Sequence, residues 1–215
     1  MDAVIENLPT YWRGFSMTLL LLGVSGLSAL VLGTIIAAMR ISPVASLRGF
    51  ATVYTELVRN TPLTLVLFFC AVVLPILGSR LEFATAAMIG LAVYTSPFVA
   101  EALRSGINGV PIGQAEAARS VGLGFGQTVG LIVLPQAFRM TIPPLINVFI
   151  ALTKNTSVAG AFFVFELFAG TRELANANGD AVIAILLGAA TFYLAITIPL
   201  GAIAAQLERK WVVQR

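Results

Sequence analysis

The sequence predicts an all-α integral membrane protein with five transmembrane helices, and three observations carry that prediction. Hydrophobic residues make up 58% of the chain and charged residues only 11%, against about 45–50% and about 25% in an ordinary soluble domain. A soluble fold of this size cannot cover its surface with so few charged side chains, so lipid must act as solvent for much of the chain. Next, the apolar residues fall into separate stretches, each long enough for the roughly 20 residues that cross a hydrocarbon core of about 30 Å. Finally, most lysines and arginines gather in the flanks of those stretches, with Arg59 and Arg139 falling within or near span ends and assigned to neither side.

The chain reads as one transmembrane domain, residues 1–215. Its first apolar stretch, 14–39, is not a cleavable signal peptide, because Asp2 and Glu6 precede it in place of a basic segment and it is too long. Gly23, Gly26 and Gly33, with Ser25 and Ser28, give that span small residues for close helix packing in lipid. A second stretch, 52–77, holds the lone Cys70 in an apolar run, where a small buried filler is expected. The third is 83–104, with the helix-kinking Pro97 inside it. Spans four and five are 128–153 and 181–207. Between them, 155–179 is too mixed to cross. Phe162, Phe163, Phe165, Leu167 and Phe168 suggest a short interfacial helix, followed by an exposed loop over 171–180.

Charge placement sets the direction. With the N-terminus outside, the inner flanks receive Arg40, Arg48, Arg104, Arg119, Arg209, Lys210 and Arg215, against Arg13, Arg80, Lys154 and Arg172 outside. The expected topology is therefore N-out, C-in.

Histidine is absent and cysteine occurs once. That excludes His-dependent triads, His-liganded zinc, disulfides within the chain and CxxC metal sites. The ten acidic residues are scattered, and the only aspartates are Asp2 and Asp180, so neither a carboxylate metal centre nor an intramembrane aspartyl pair is expected. The pI of about 9.4 does not indicate nucleic-acid binding, since the basic residues are dispersed along membrane edges with no aromatic-basic interleave. No GxxxxGK[ST] loop is present, so nucleotide cannot be held in the P-loop manner. Gly122, Gly124 and Gly126 have the wrong spacing for a dinucleotide fingerprint and read as a flexible exit from a helix.

That helix lies in the longest inner segment, 104–127, at about residues 111–122. Pro111 suits its first position, Gln114 to Ser120 are strong formers, and Gly122 suits a left-handed C-terminal cap. It is too short and polar to span. Ala115, Ala117 and Ala118 would let a partner approach the backbone, and Glu116 and Arg119 lie three apart as a charged pair. Both a solvated connector and a docking element fit these properties.

Glu116-Ala117-Ala118, three residues, Gly122, nine residues, then Ile132-x-Leu134-Pro135 resembles the signature of ABC-importer permease subunits. Glu56 to Leu63, Tyr94 through Glu101 to Arg104, Leu134 to Ala137 and Lys154-Asn155-Thr156-Ser157 are similar to the polar amino-acid branch of that family, nearest the glutamate-type permeases of actinobacteria. The resemblance implies a type I importer fold in a bacterial cell membrane. It implies further that Glu116, Ala117, Ala118, Arg119 and Gly122 form a coupling helix seated in a separate ATPase, which holds the ATP and magnesium. The other implied partners are a second permease subunit, more a paralogue than a second copy, and an extracytoplasmic substrate-binding protein. No cofactor or metal is expected on this chain, and no catalytic residue.

Candidate residues for a substrate path follow. An α-amino acid carries a carboxylate and an ammonium, so a site needs a cation or amide donor and an acceptor. By the resemblance, Lys154 and Thr156 would hold the carboxylate, Tyr94 and Ser96 would add polar contacts before Pro97, and Glu101 would face the ammonium. Read on the residues alone, Lys154 snorkels at a span end, while Glu56–Arg59 and Glu101–Arg104 are interfacial ion pairs or gate elements. The 155–179 segment would serve as a gate, as a docking surface for the binding protein, or as an interfacial anchor. A passive channel, which needs no coupling helix, and a permease for another solute are the competing functions.

Overall fold

The computed structural model describes residues 2–211, and among them every regular element is helical. A short α1 (Asp2–Glu6) leads into α2 (Leu8–Arg40), whose 33 residues extend about 50 Å, longer than a bilayer core is thick. After a turn come α3 (Ala45–Arg59) and α4 (Leu63–Phe68), then a π-helical turn (Phe69–Val73) and α5 (Leu74–Ile76). The helix α6 (Phe83–Asn108) returns to the end where α2 finishes, and the short α7 (Ile112–Ser120) lies there. A further short turn, α8 (Phe125–Gln127), opens a second π segment (Thr128–Val133) that continues into α9 (Leu134–Asn155). A 3-10 segment (Thr156–Phe162), α10 (Leu167–Ala177) and α11 (Val182–Trp211) complete the chain.

Four of these stretches are long and apolar enough to cross a membrane, and the pair α3 with α4–α5 supplies a fifth crossing only as a broken one, bent by 101°. A continuous span over 52–77 was the expectation. Pro62 explains the break: it has no N–H to donate and disfavours helical geometry at Thr61, so α3 closes at Asn60 and a new helix starts from the Pro62 carbonyl. The first limb is amphipathic. Its Ala51 and Thr55 are buried, whereas Phe50, Val53 and Leu57 line its exposed face.

Both π segments end on the valine of the same tripeptide, Val73-Leu74-Pro75 and Val133-Leu134-Pro135. In an α-helix each proline ring would press on the carbonyl four residues back and leave it without a donor. At these two places the widened turn relieves that clash, whereas Pro97, Pro143, Pro144 and Pro199 are accommodated inside α-helix.

The bundle is organised around α6, which buries 56% of its most apolar stretch, against 11% for α11. Close approach to α2 depends on Gly33, where a Cβ would lie 2.6 Å from Val99 and 2.7 Å from the Ser96 carbonyl. Gly26 faces Phe149 in the same way, while Gly23 faces open space, so the small-residue stripe is used partly inside the chain. At the end opposite α7, the Tyr11 hydroxyl donates to the Ile185 carbonyl at 2.8 Å and its ring stacks on Phe192, fixing α2 to α11.

The 155–179 region departs from its expected form. Phe163 and Phe165 lie in the turn before α10, not inside a helix, and α10 runs through most of the segment expected to be loop. A buried stripe at helical spacing, Leu167, Gly170, Thr171 and Leu174, holds it against the bundle. Its N-terminus is capped by the Glu166 carboxylate, which accepts from the Phe168 and Ala169 amides.

Candidate functional site

The short helix α7 joins α6 to α9, so it is the covalent link between two of the longest helices. Pro111 stands one residue outside it in extended geometry, as the cap and not the first helical residue. The exit is as expected: Gly122 has φ +89°, a value that side chains resist, and two bonds close the helix. The Gly122 amide donates to the Arg119 carbonyl and the Leu123 amide to Ala118, the two bonds of a Schellman motif. Glu116, Ala117 and Arg119 are exposed, and Ala118 alone on this helix is buried. Glu116 and Arg119 form no ion pair with each other, contrary to the expectation from their spacing. Both charges are left facing outward.

Above α7 the charges are arranged differently. Glu101 on α6 accepts from Arg40 on α2 at 2.7 Å and from Arg104 one turn along its own helix. The pairing of Glu101 with Arg104 matches its i,i+3 spacing; Arg40 was not anticipated as the bridge to α2. The equivalent spacing of Glu56 and Arg59 gives no pair. Asn60 caps the Glu56 region, and the Arg59 guanidinium lies 5.7 Å from the centre of the Phe98 ring.

A cleft of about 450 Å³ opens between α6 and α9. Tyr94, Thr95 and Phe98 line one wall, with Pro144, Asn147 and Asn155 on the other. The Thr95 hydroxyl is buried and has no hydrogen-bond partner. Such a group is uncommon in a native interior; the Ser25 hydroxyl of α2 is another in this chain.

Of the sequence-derived candidates, Tyr94 lines this cleft and Lys154 is exposed beside Asn155 at its edge. Ser96 is not there: one residue round the helix from Thr95, it is fully buried and bonded to the Tyr54 hydroxyl at 2.8 Å and to the Val93 carbonyl. Glu101 is held by its two arginines near the end where α7 lies. Thr156 is fully buried, with its hydroxyl donating to the Thr153 carbonyl. The structure thus brings Tyr94 together with Thr95, Asn147 and Asn155, and does not bring in Ser96, Glu101 or Thr156. The signal for Thr95 over Ser96 was one residue of helical phase, about 100°, which packing alone fixes.

The geometry defines a polytopic helical membrane subunit with a cleft between two spans and a short helix linking its walls. A family model described as binding-protein-dependent transport system inner membrane component matches residues 29–213, and the chain belongs to this family. It is therefore a multi-pass transport subunit of the inner membrane. The glutamate transport system permease protein GluC of Corynebacterium glutamicum is 41% identical to it, over 97% of this chain and 95% of that protein. The probable glutamine ABC transporter permease protein GlnM of Bacillus subtilis is 39% identical, over 98% and 97%. Among solved structures, an amino acid ABC transporter crystallised with histidines superposes with a TM-score of 0.88 at 27% identity, over 96% of both chains. Inward-facing MetNI methionine transporter chains, at 19% identity and a TM-score of 0.72, share the fold.

Proposed function

We propose that this chain is the permease subunit of an ATP-driven importer of polar amino acids, with glutamate the favoured substrate. It pairs with a second permease subunit, a paralogue in preference to another copy. Two ATPase subunits carrying ATP and magnesium dock on one side, and a substrate-binding protein on the other. Supporting the amino-acid reading are the named activities of its relatives. The observation that carries the mechanism is that α7 links the two cleft walls, α6 and α9, while presenting Glu116, Ala117 and Arg119 outward. A force applied to α7 is transmitted to both walls at once, which is what alternating access requires.

In this reading the end bearing α7 is cytoplasmic, in keeping with the arginine bias, and the N-terminus is outside. Glu116 meets a basic group of the ATPase, the small Ala117 allows close seating, and the Gly122 turn fixes the helix direction. Within the cleft, the Thr95 hydroxyl and the Asn147 and Asn155 amides offer polar contacts, and Lys154 at the edge supplies the cation that a carboxylate favours.

The test is ATP hydrolysis in lipid nanodiscs by the co-expressed assembly. Binding protein is supplied with glutamate, glutamine, arginine, histidine or no amino acid. Stimulation by one amino acid, lost in Glu116→Lys and in Gly122→Pro while membrane insertion is kept, is the expected result. If the chain assembles with no ATPase and neither substitution matters, the importer reading fails and a passive pore takes its place.

A further inference from the structure

At the end opposite α7 lies a fully buried carboxylate that the transport reading has not used. Glu166 has no exposed surface. Its Oε1 accepts from the Ala169 amide at 2.7 Å, and its Oε2 accepts from the Phe168 amide at 2.8 Å and the Tyr193 hydroxyl at 3.1 Å. The two amides belong to α10, but Tyr193 comes from α11, so the carboxylate bridges two elements. A third packs directly on it: a Cβ at Gly160 would collide with Oε1, so the 3-10 segment can lie here only because residue 160 has no side chain. Next to Glu166, the Leu167 amide donates to the Thr18 hydroxyl of α2 at 3.2 Å. An ionisable group this deep is retained only where every lone pair is satisfied or a function demands it.

The 3-10 segment behind which Glu166 sits leads directly from the cleft edge at Asn155. Its Val158, Ala159 and Phe162 pack in one cluster with Tyr94 and Leu152, both of which line the cleft. Phe162 also packs against a second cluster, formed by Cys70, Ala71 and Ala86. The segment therefore adjoins the cleft at Asn155 and packs on two of its lining residues; behind it Gly160 lies against Glu166, Thr156 is hydrogen-bonded to Tyr193, and Arg172 reaches the Gly160 carbonyl at 3.5 Å.

We propose that Glu166, tied to Tyr193, is a positioning residue for transport, holding the 3-10 segment as the outer plug of the cleft. This rests on the importer reading for what the plug does, but not for whether the carboxylate holds it. When the tie is cut, the plug loosens while the coupling helix is untouched. Substrate then leaks back outward during a cycle that still consumes ATP. In Glu166→Gln the side-chain amide opposes one of the backbone N–H donors; in Tyr193→Phe the donor to Glu166 is deleted together with the hydroxyl's contacts to Thr18 and Thr156, and both caps remain.

The lone cysteine supplies a reporter, since Cys70 is buried in the cluster against which Phe162 packs. The experiment uses the full assembly in proteoliposomes with binding protein and radiolabelled glutamate, on complexes that elute intact and hydrolyse ATP. Glutamate moved per ATP is expected to fall about fivefold in both variants, the scale set by one buried hydrogen bond. N-ethylmaleimide should label Cys70 about fivefold faster, read by mass spectrometry of this chain. Unchanged Cys70 labelling in both variants overturns the proposal. So does a parallel loss of uptake and hydrolysis at an unchanged ratio, which is what a merely structural role gives. Should Glu166→Gln not assemble, Tyr193→Phe decides by the same criteria. A wild type that moves no glutamate removes the importer reading, and the labelling comparison still decides the plug.

Discussion

The two ends of the bundle hold a glutamate in opposite ways. Near α7, Glu101 is matched by two arginines and remains partly open, with side-chain exposures of 29% for Glu101 and 14% for Arg40. At the other end Glu166 is fully enclosed and is met mainly by neutral donors, two amides and a phenol. The first arrangement is a charge clasp between α2 and α6 whose strength depends on its partners' charges and on screening. The second is a geometric clasp whose strength depends on donors being in the right places. A clasp of the first kind tolerates movement, because charges attract over distance; one of the second kind is made or broken.

Substitutions separate the two. The largest effect is expected for Glu166→Ala, which leaves two helix-end amides without an acceptor and removes the carboxylate from the Tyr193 hydroxyl, and so costs roughly 3 kcal/mol. Thermal unfolding of the assembled complex in nanodiscs checks this, and a change no larger than for a surface alanine would show that water fills the site. Glu101→Gln comes next. It strips two arginines of their carboxylate, but partial exposure lets water compensate, so about 1–2 kcal/mol is expected. Raising salt should lower the wild-type stability towards that of Glu101→Gln while leaving the cost of Glu166→Ala unchanged.

The smallest effect is one of pH. Burial holds the Glu166 carboxyl above the usual glutamate range, against the opposing pull of the Phe168 and Ala169 amides, Tyr193 and the Arg172 charge. A carboxyl raised in the folded state binds its proton more tightly there than in the unfolded chain. Acidification from that raised value down to the ordinary range therefore adds stability. The same protonation replaces an acceptor with a donor and weakens the tie to Tyr193. The wild type should thus show a rising melting temperature together with a falling yield of substrate per ATP as the outer pH drops. Glu166→Gln should show neither slope, and identical slopes in both proteins would place the titrating group elsewhere.

Much of the fold was readable in the chain. The apolar stretches that became α2, α6, α9 and α11 were found, because a bilayer-length run of apolar side chains has few alternatives in lipid, though α2 starts at Leu8 and α9 at Leu134 where 14 and 128 were expected. The α7 helix and its Gly122 exit were likewise visible, since the cap requires a residue at positive φ and glycine supplies it. The second span was misread as continuous. Hydropathy ran straight through Asn60-Thr61-Pro62, although Pro62 was the stop signal and the bend of 101° follows from it. In the same way α10 was concealed by its mixed composition, while its period, Leu167 to Gly170 to Leu174, was present in the sequence.

The site was less legible. Spacing found the Glu101–Arg104 pair, yet the same spacing gave nothing at Glu56–Arg59 or Glu116–Arg119. Helical proximity permits a pair, and the neighbours then decide whether solvent, an aromatic ring or a third charge is the better partner. Tyr94 was found in the cleft, but the polar position beside it proved to be Thr95 and not Ser96. Glu166 was passed over entirely, for in the sequence it is one charge among phenylalanines.

What the sequence determined by itself is what local chemistry and solvent dictate: a lipid-soluble helical chain, its crossing segments, the short polar helix and its glycine cap. Only the tertiary structure decided which side chains meet across elements. Arg40 reaches Glu101 from 61 residues away and Tyr193 reaches Glu166 from 27, and each contact depends on the rotation of one helix against another. That rotation is set by close packing, with Gly33 admitting Val99 and Gly160 admitting a carboxylate. A one-dimensional pattern specifies which face of a helix is apolar, but the angular phase that places a hydroxyl in a cleft or against a neighbour emerges only when the helices are packed together.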